Sequence, residues 1–173
     1  PLPALRPRAG PQAGEPISGA HFNPVVTLAL TVRGGSGRSR LLPFLAVQFA
    51  GAVLGVWLAH LMFDLPILQA STKLRSGLGQ WVAEAVATFG LVLLILLGVR
   101  HKSPSLPAAI AAYIVAAYWF TASTSFANPA VTVARALSNT FAGIAPADAP
   151  AFIAAQIIGS MLALAAERTL VAR

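Results

Sequence analysis

The sequence predicts an all-α membrane protein, a bundle of apolar helices built from an inverted repeat that contains two re-entrant half-helices. Three observations predict this fold class: the composition, four long apolar runs, and a duplicated Asn-Pro motif. Of the 173 residues, 57% are hydrophobic and 10% are Asp, Glu, Lys or Arg, whereas an ordinary soluble domain has about 25% charged residues. Such a chain cannot cover itself with polar surface, so its expected surroundings are a lipid bilayer.

The N-terminal stretch, residues 1–14, reads PLPALRPRAGPQAG and contains no apolar run. It lacks the apolar region of a signal peptide and the length of a membrane span. We interpret it as a disordered or truncated tail that precedes a single transmembrane domain, residues 15–173.

Apolar runs of two lengths follow. Four of them approach the roughly 20 residues that a helix needs to cross a bilayer, and buried helices of a soluble domain would instead show polar faces at a period of 3.6 residues. Two shorter runs, at 1.5 Å per residue, reach only about half of the hydrocarbon core and predict half-helices. The predicted spans are about 41–63, 79–99, 105–126 and 149–166, and the half-helices are 23–32 and 128–137.

The two halves of the chain repeat each other. SGAHFNPVVTL, starting at residue 18, aligns with TSFANPAVTV, starting at residue 124, and the likeness continues from PFLAVQFAGAVLG to AFIAAQIIGSMLA. Three predicted spans separate the two motifs, so the second copy must enter from the opposite face of the membrane and its site must lie near the midplane. The paired positions include Asn23 with Asn128, Pro24 with Pro129, Gln48 with Gln156 and Gly51 with Gly159.

An Asn-Pro pair at the start of each half-helix carries the predicted chemistry. Asn caps helix N-termini well, and Pro fits the first helical position because no amide is needed there. Two N-termini that meet at the midplane present partial positive charge, and we expect each Asn amide to point into the space between them. This arrangement predicts passive conduction of small neutral polar solutes with exclusion of charge. We expect no enzyme activity, no cofactor and no metal.

The basic residues lie almost entirely between the apolar runs, which is typical of membrane topology and not of nucleic-acid binding. With the first half-helix entering from the cytoplasm, seven basic residues lie on the cytoplasmic side and three on the other. This bias predicts a cytoplasmic C-terminus. The seven are Arg33, Arg38, Arg40, Arg100, Lys102, Arg168 and Arg173, and the three are Lys73, Arg75 and Arg135.

With these motifs, SGAHFNPVVTLA and NPAVTVAR, the sequence resembles the aquaporin, or major intrinsic protein, family. The resemblance implies that the pore motifs are Asn23-Pro24-Val25 and Asn128-Pro129-Ala130, with Val25 where the family usually has Ala. It also implies a homotetramer. Such proteins have six spans, two of them before the first motif, so this chain resembles one that lacks the first two.

The resemblance also implies a selectivity filter of Ala116, Ser125 and Val131. The family normally has Arg at the position of Val131, and here Arg135 lies four residues later. A small, uncharged filter is similar to that of bacterial aquaporins associated with arsenic resistance. It therefore implies a bacterial inner-membrane channel for water, glycerol-like polyols or neutral metalloids such as arsenite.

Several polar residues are expected to support the pore loops, namely Glu84, His21, Gln48, Gln156 and Arg135. In the family, a Glu at the position of Glu84 accepts backbone amides from a re-entrant loop. A proton relay through Glu84, a lumen-facing His21 and pore-lining glutamines remain open alternatives. For the whole chain, the alternatives are a non-conducting truncated remnant and a secondary transporter, since transporters also use inverted repeats.

Overall fold

The computed structural model describes residues 21–34 and 38–171, which fold into α-helices joined by loops. The predicted all-α class is confirmed, and the N-terminal tail lies outside the described residues. The helices are α1 (Pro24–Val32), α2 (Leu41–Met62, preceded by a 3-10 turn at Arg38–Arg40), α3 (Leu78–Arg100), α4 (Leu106–Phe120), α5 (Pro129–Ala136) and α6 (Ala149–Val171).

Three of these helices, α2, α3 and α6, are long and apolar enough to cross a membrane, whereas α4 has only 15 residues. Helix α4 ends at Phe120, six residues before the end predicted for that span. Thr121 adopts an extended backbone conformation, and its hydroxyl donates to the carbonyl of Ala117 at 2.6 Å. Residues 121–127 then form a loop, because the amides of Phe126 and Ala127 bind the Glu84 carboxylate instead of continuing the helix.

The half-helices α1 and α5 lead to opposite ends of α3. At the end of α1, Arg33 donates to the carbonyl of Leu96 at 3.0 Å and pairs with Glu167 at 3.1 Å, close to the C-termini of α3 and α6. At the end of α5, the carbonyl of Ala136 accepts the amide of Ser71 at 2.9 Å, in the segment that precedes α3. The two half-helices therefore point in opposite directions, as an inverted repeat requires.

Helix α2 has its polar side chains inside and its apolar side chains outside. Its two buried residues are Gln48 and His60, whereas Leu54, Leu58 and Leu61 are largely exposed. Because a water-soluble helix would bury the leucines and expose the polar groups, this arrangement is typical of a helix whose outer surface meets lipid.

The paired repeat glycines Gly51 and Gly159 differ in what they contact. Helices α3 and α6 pack closely where Gly159 lies against the carbonyl oxygen of Ala85, a position that leaves no room for a Cβ. On α2, a Cβ at Gly51 or Gly55 would meet nothing within 4 Å among the described residues. The repeat therefore has one closely packed helix crossing and one open helix face.

Candidate functional site

Each half-helix begins with an asparagine cap. Asn23 and Asn128 have extended backbones, with φ of −141° and −158°, and their side-chain carbonyls accept amides of the first turn. The Oδ1 atom of Asn23 accepts from Val25 at 3.1 Å, and that of Asn128 accepts from Ala130 at 2.9 Å. Pro24 and Pro129 follow the caps, are buried, and occupy the position where a helix needs no amide.

The two caps are bound to each other's loops. The Nδ2 atom of Asn23 donates to the carbonyl of Ala127 at 2.6 Å, and the Nδ2 atom of Asn128 donates to the carbonyl of Phe22 at 3.0 Å. These bonds correct the expectation that both amide groups point freely into the space between the helices. One N–H of each amide is bound to backbone, and since an amide has two donors, each retains one N–H.

Val25 takes the place of the usual Ala in the first motif, and it lies in the protein core. Its side chain is 2% exposed and belongs to a cluster that includes Leu91, Leu96 and Ala163. The additional methyl groups therefore add to packing between α1, α3 and α6.

The Glu84 carboxylate, fully buried in α3, accepts hydrogen bonds from the loop before α5. Its Oε2 atom accepts the amide of Phe126 at 3.2 Å. Its Oε1 atom accepts the Nε2 group of Gln156 at 2.8 Å and also accepts the amide of Ala127. The loop needs such acceptors because Ser125 and Ala127 have φ of 49° and 48°, which removes their segment from regular backbone pairing. Three donors to one carboxylate favour a structural role over proton transfer.

The two repeat glutamines make matching contacts. Gln156 donates through Nε2 to the hydroxyl of Thr132 at 2.8 Å, and Gln48 donates through Nε2 to the hydroxyl of Thr27, also at 2.8 Å. Sequence reasoning missed the two threonines as site residues, although their equivalent positions in the repeated Val-Thr pairs were a signal. The glutamines therefore anchor both half-helices to the long helices that follow them.

The first half differs from the second at the position where Glu84 acts. Gln48 donates to the carbonyl of His21 at 2.7 Å, and the His21 ring lies 5.8 Å from the ring of Phe44. Among the described residues, however, no carboxylate binds this loop, and the Nδ1 atom of His21 is buried without a hydrogen-bond partner. The Oε1 atoms of Gln48 and Gln156 lack a partner in both halves alike.

An open cavity of about 710 Å³ lies beside the His21 loop. Of the three predicted filter residues, Val131 lines this cavity, whereas Ala116 and Ser125 are not among its described lining residues. Ala116 is exposed on α4, and Ser125 is half-buried in the loop that Glu84 holds. The lining includes His21, Phe22, Phe44, Gln48, Gly51 and Val131.

Arg75 and Arg135 both contact the ring of Phe126. Their Cζ atoms lie 5.0 Å and 4.3 Å from the ring centroid, close enough for cation–π interactions. Arg75, in the loop between α2 and α3, is buried and donates to the carbonyls of Gly143, Ser123 and Phe141. Burial lowers the pKa of the Arg75 guanidinium. Sequence reasoning assigned Arg135 a supporting role but used Arg75 only for topology.

Comparisons with known proteins agree with this architecture. Residues 8–120 match the family model of the major intrinsic protein. The chain is 52% identical to aquaglyceroporin AqpS of Rhizobium meliloti over 155 residues, which cover 90% of this chain and 66% of that protein. It is 32% identical over 91 residues to the glycerol uptake facilitator protein of Streptococcus pneumoniae, covering 46% of this chain and 39% of that protein.

A third relative, aquaporin-8 of Mus musculus, is 32% identical over 104 residues, or 54% of this chain and 39% of that protein. The chain therefore spans about two thirds or less of the length of these relatives. It belongs to the major intrinsic protein family, as the paired Asn-Pro motifs predicted, and is an integral membrane protein.

Proposed function

We propose that this chain belongs to a passive channel that conducts small neutral solutes through the space between its two half-helix N-termini. The observation that carries the proposal is the mutual binding of the Asn23 and Asn128 caps to each other's loops. This contact holds two positive helix ends together and leaves one N–H on each amide for a passing lone pair. Permeation of this kind involves no chemical step.

For the permeant, we propose neutral hydroxyl-bearing solutes, namely glycerol-like polyols or arsenite as As(OH)3, in addition to water. Val131 replaces the family's filter Arg, and Ala116 and Ser125 are also small and uncharged. The names of AqpS, an aquaglyceroporin, and of the glycerol uptake facilitator agree with this class of solute.

For the surroundings of the channel, we propose a homotetramer in a bacterial inner membrane with the C-terminus in the cytoplasm. Glu84, His21, Gln48 and Gln156 act as supports of the two loops. We further propose that an apolar helix outside the described residues covers the open face of α2 at Gly51. By analogy with Glu84, that helix would supply a carboxylate to the His21 loop.

A second candidate function is a non-conducting remnant. The observation that favours it is the open first half, where no carboxylate of the described residues binds the loop and the Nδ1 atom of His21 is buried without a partner. If the protein stays open around the His21 loop, its helices do not separate the path of the permeant from lipid.

The test is solute flux into proteoliposomes that contain the protein expressed from its complete reading frame. Stopped-flow swelling compares water, glycerol and arsenite, with and without ion gradients. We expect glycerol and arsenite to enter faster than into empty vesicles, and at a rate independent of any ion gradient. Water flux alone would overturn the proposed permeant, absence of all flux would favour the remnant, and gradient-dependent flux would indicate a secondary transporter.

A further inference from the structure

We propose that Arg75 and Arg135 exclude cations from this channel through the positive potential of their guanidinium groups, which lie against Phe126 next to the predicted filter. The proposal rests on the proposed channel function and concerns its selectivity. It addresses a specific difficulty, since a filter of Ala116, Ser125 and Val131 has no charge of its own to oppose a cation.

The two guanidinium groups, that of Arg75 buried and that of Arg135 half-buried, lie around one aromatic ring. Phe126 is 5% exposed, and the Cζ atoms of Arg75 and Arg135 lie 5.0 Å and 4.3 Å from its centroid. Arg75 is held in place by Nε to the carbonyl of Gly143 at 2.7 Å, and its Nη atoms donate to two further carbonyls. Neutral acceptors fix the position of this charge without neutralising it.

The pair lies next to the predicted filter. Arg135 follows Val131 by four residues in α5, so both residues start from the same face of the half-helix, one turn apart. Arg75 donates through Nη1 to the carbonyl of Ser123 at 3.2 Å, two residues before Ser125. Both charges therefore lie within about one helical turn of filter positions, on the outer side of the Asn128 cap.

The acidic groups nearby offset this charge only in part. The ion pairs of the described residues join Arg33 and Arg100 to Glu167, at the other end of α3 and α6. The Glu84 carboxylate, which accepts the loop amides and Gln156, is buried near the pair and offsets one of its two positive charges. Asp148 is half-buried and accepts the backbone amide of Arg75 at 2.7 Å.

One buried and one half-buried guanidinium group thus face a single fully buried carboxylate, and the positive N-terminal end of α5 adds to their potential. In a site of low dielectric constant, the field of such charges reaches well beyond contact distance, and mobile ions screen it poorly. The lumen can therefore be wide and uncharged, which admits neutral solutes, while its potential opposes cations.

The test measures sodium flux and glycerol flux in the same proteoliposomes, using the complete protein. Arg135→Gln removes one charge and leaves the Arg75 hydrogen bonds in place, so it should raise the ratio of sodium to glycerol permeability on the order of tenfold. Arg135→Lys keeps the charge and should stay within about twofold of the wild type. Lys73→Gln removes an exposed charge from the same outer loop and should change nothing.

Phe126→Leu separates charge from packing, because it removes the ring and keeps both arginines. This variant should have the same low sodium permeability as the wild type. A sodium permeability equal to that of Arg135→Gln would overturn the proposal and indicate that loop packing, not charge, excludes sodium. The proposal also fails if folded Arg135→Gln still excludes sodium. Wild-type protein that passes no glycerol would contradict the channel function instead.

A measurement on the wild type keeps the test independent of whether the variants fold. A positive barrier predicts that any residual ion leak passes chloride on the order of tenfold faster than sodium. Sodium flux equal to or above chloride flux would overturn the assignment of the two arginines.

Discussion

Asn23 and Asn128 each bind, through the side-chain amide, the carbonyl of the residue that precedes the other. The same side chains cap their own half-helices through Oδ1. Each asparagine therefore joins one helix start to the opposite loop, and neither half-helix can shift without breaking a bond in the other half. The two copies of the Asn-Pro motif therefore form one structural unit at the centre of the described residues.

Replacing Asn128 by Ala should destabilise this unit. The substitution removes the cap of α5 and leaves the carbonyl of Phe22 without its donor, at an expected cost of about 1–3 kcal/mol in the free energy of unfolding. Thermal unfolding in detergent measures the effect. Asn139→Ala, which removes two solvent-exposed hydrogen bonds from Thr72, is the matched control and should cost less. Equal losses for the two variants would mean that the contact between the caps adds no stability.

Replacing Glu84 by Gln should destabilise the protein more than replacing Asn128 by Ala. The amide presents one carbonyl oxygen where the carboxylate accepts three donors, so the Phe126 and Ala127 amides compete for one acceptor, with an expected loss of about 2–4 kcal/mol. Thermal unfolding in detergent and glycerol flux both measure the effect of this substitution. Asp64→Asn makes the same acid-to-amide change at an exposed residue with positive φ that Asn tolerates. If Glu84→Gln unfolds like the wild type, Glu84 is not a support of the loop.

The repeat offers a paired test of the open helix face. Gly159→Ala should cost about 1–3 kcal/mol, because a Cβ would collide with the carbonyl of Ala85. Gly51→Ala, at the equivalent position, should cost a similar amount in the complete protein, because we propose that another helix covers this face, although a Cβ there meets nothing within 4 Å among the described residues. Thermal unfolding of the complete protein in detergent measures both variants. A Gly51→Ala variant that is neutral or more stable by up to about 1 kcal/mol would show that α2 faces only lipid there.

Replacing Val131 by Arg should change the solute preference. A guanidinium at the cavity wall narrows it and adds a donor that favours water, so glycerol and arsenite flux should fall at least about tenfold while water flux is retained. Val131→Leu adds bulk without charge and should lower glycerol flux less. Stopped-flow swelling and arsenite uptake measure both variants. Unchanged preference in Val131→Arg would remove Val131 from the filter.

Features that depend on short stretches of sequence were predictable. Asn followed by Pro caps a helix through atoms within three residues, so the starts of α1 and α5 followed from the motif alone. The end of α4 did not follow, because residues 121–126 contain no charge, Gly or Pro that would stop a helix, and they leave it where Glu84 accepts the amides of Phe126 and Ala127. That acceptor is more than 40 residues away in the chain.

The sequence by itself determined the membrane class, the inverted repeat and the capped half-helices, since composition, periodicity and caps act locally. The tertiary structure decided which partners those groups find. The Asn23 amide binds a carbonyl 104 residues away, Val25 packs into the core, and Arg75 and Arg135 share one ring. The physical reason is that buried polar groups must pair wherever packing brings an acceptor within reach, and sequence spacing does not encode that distance.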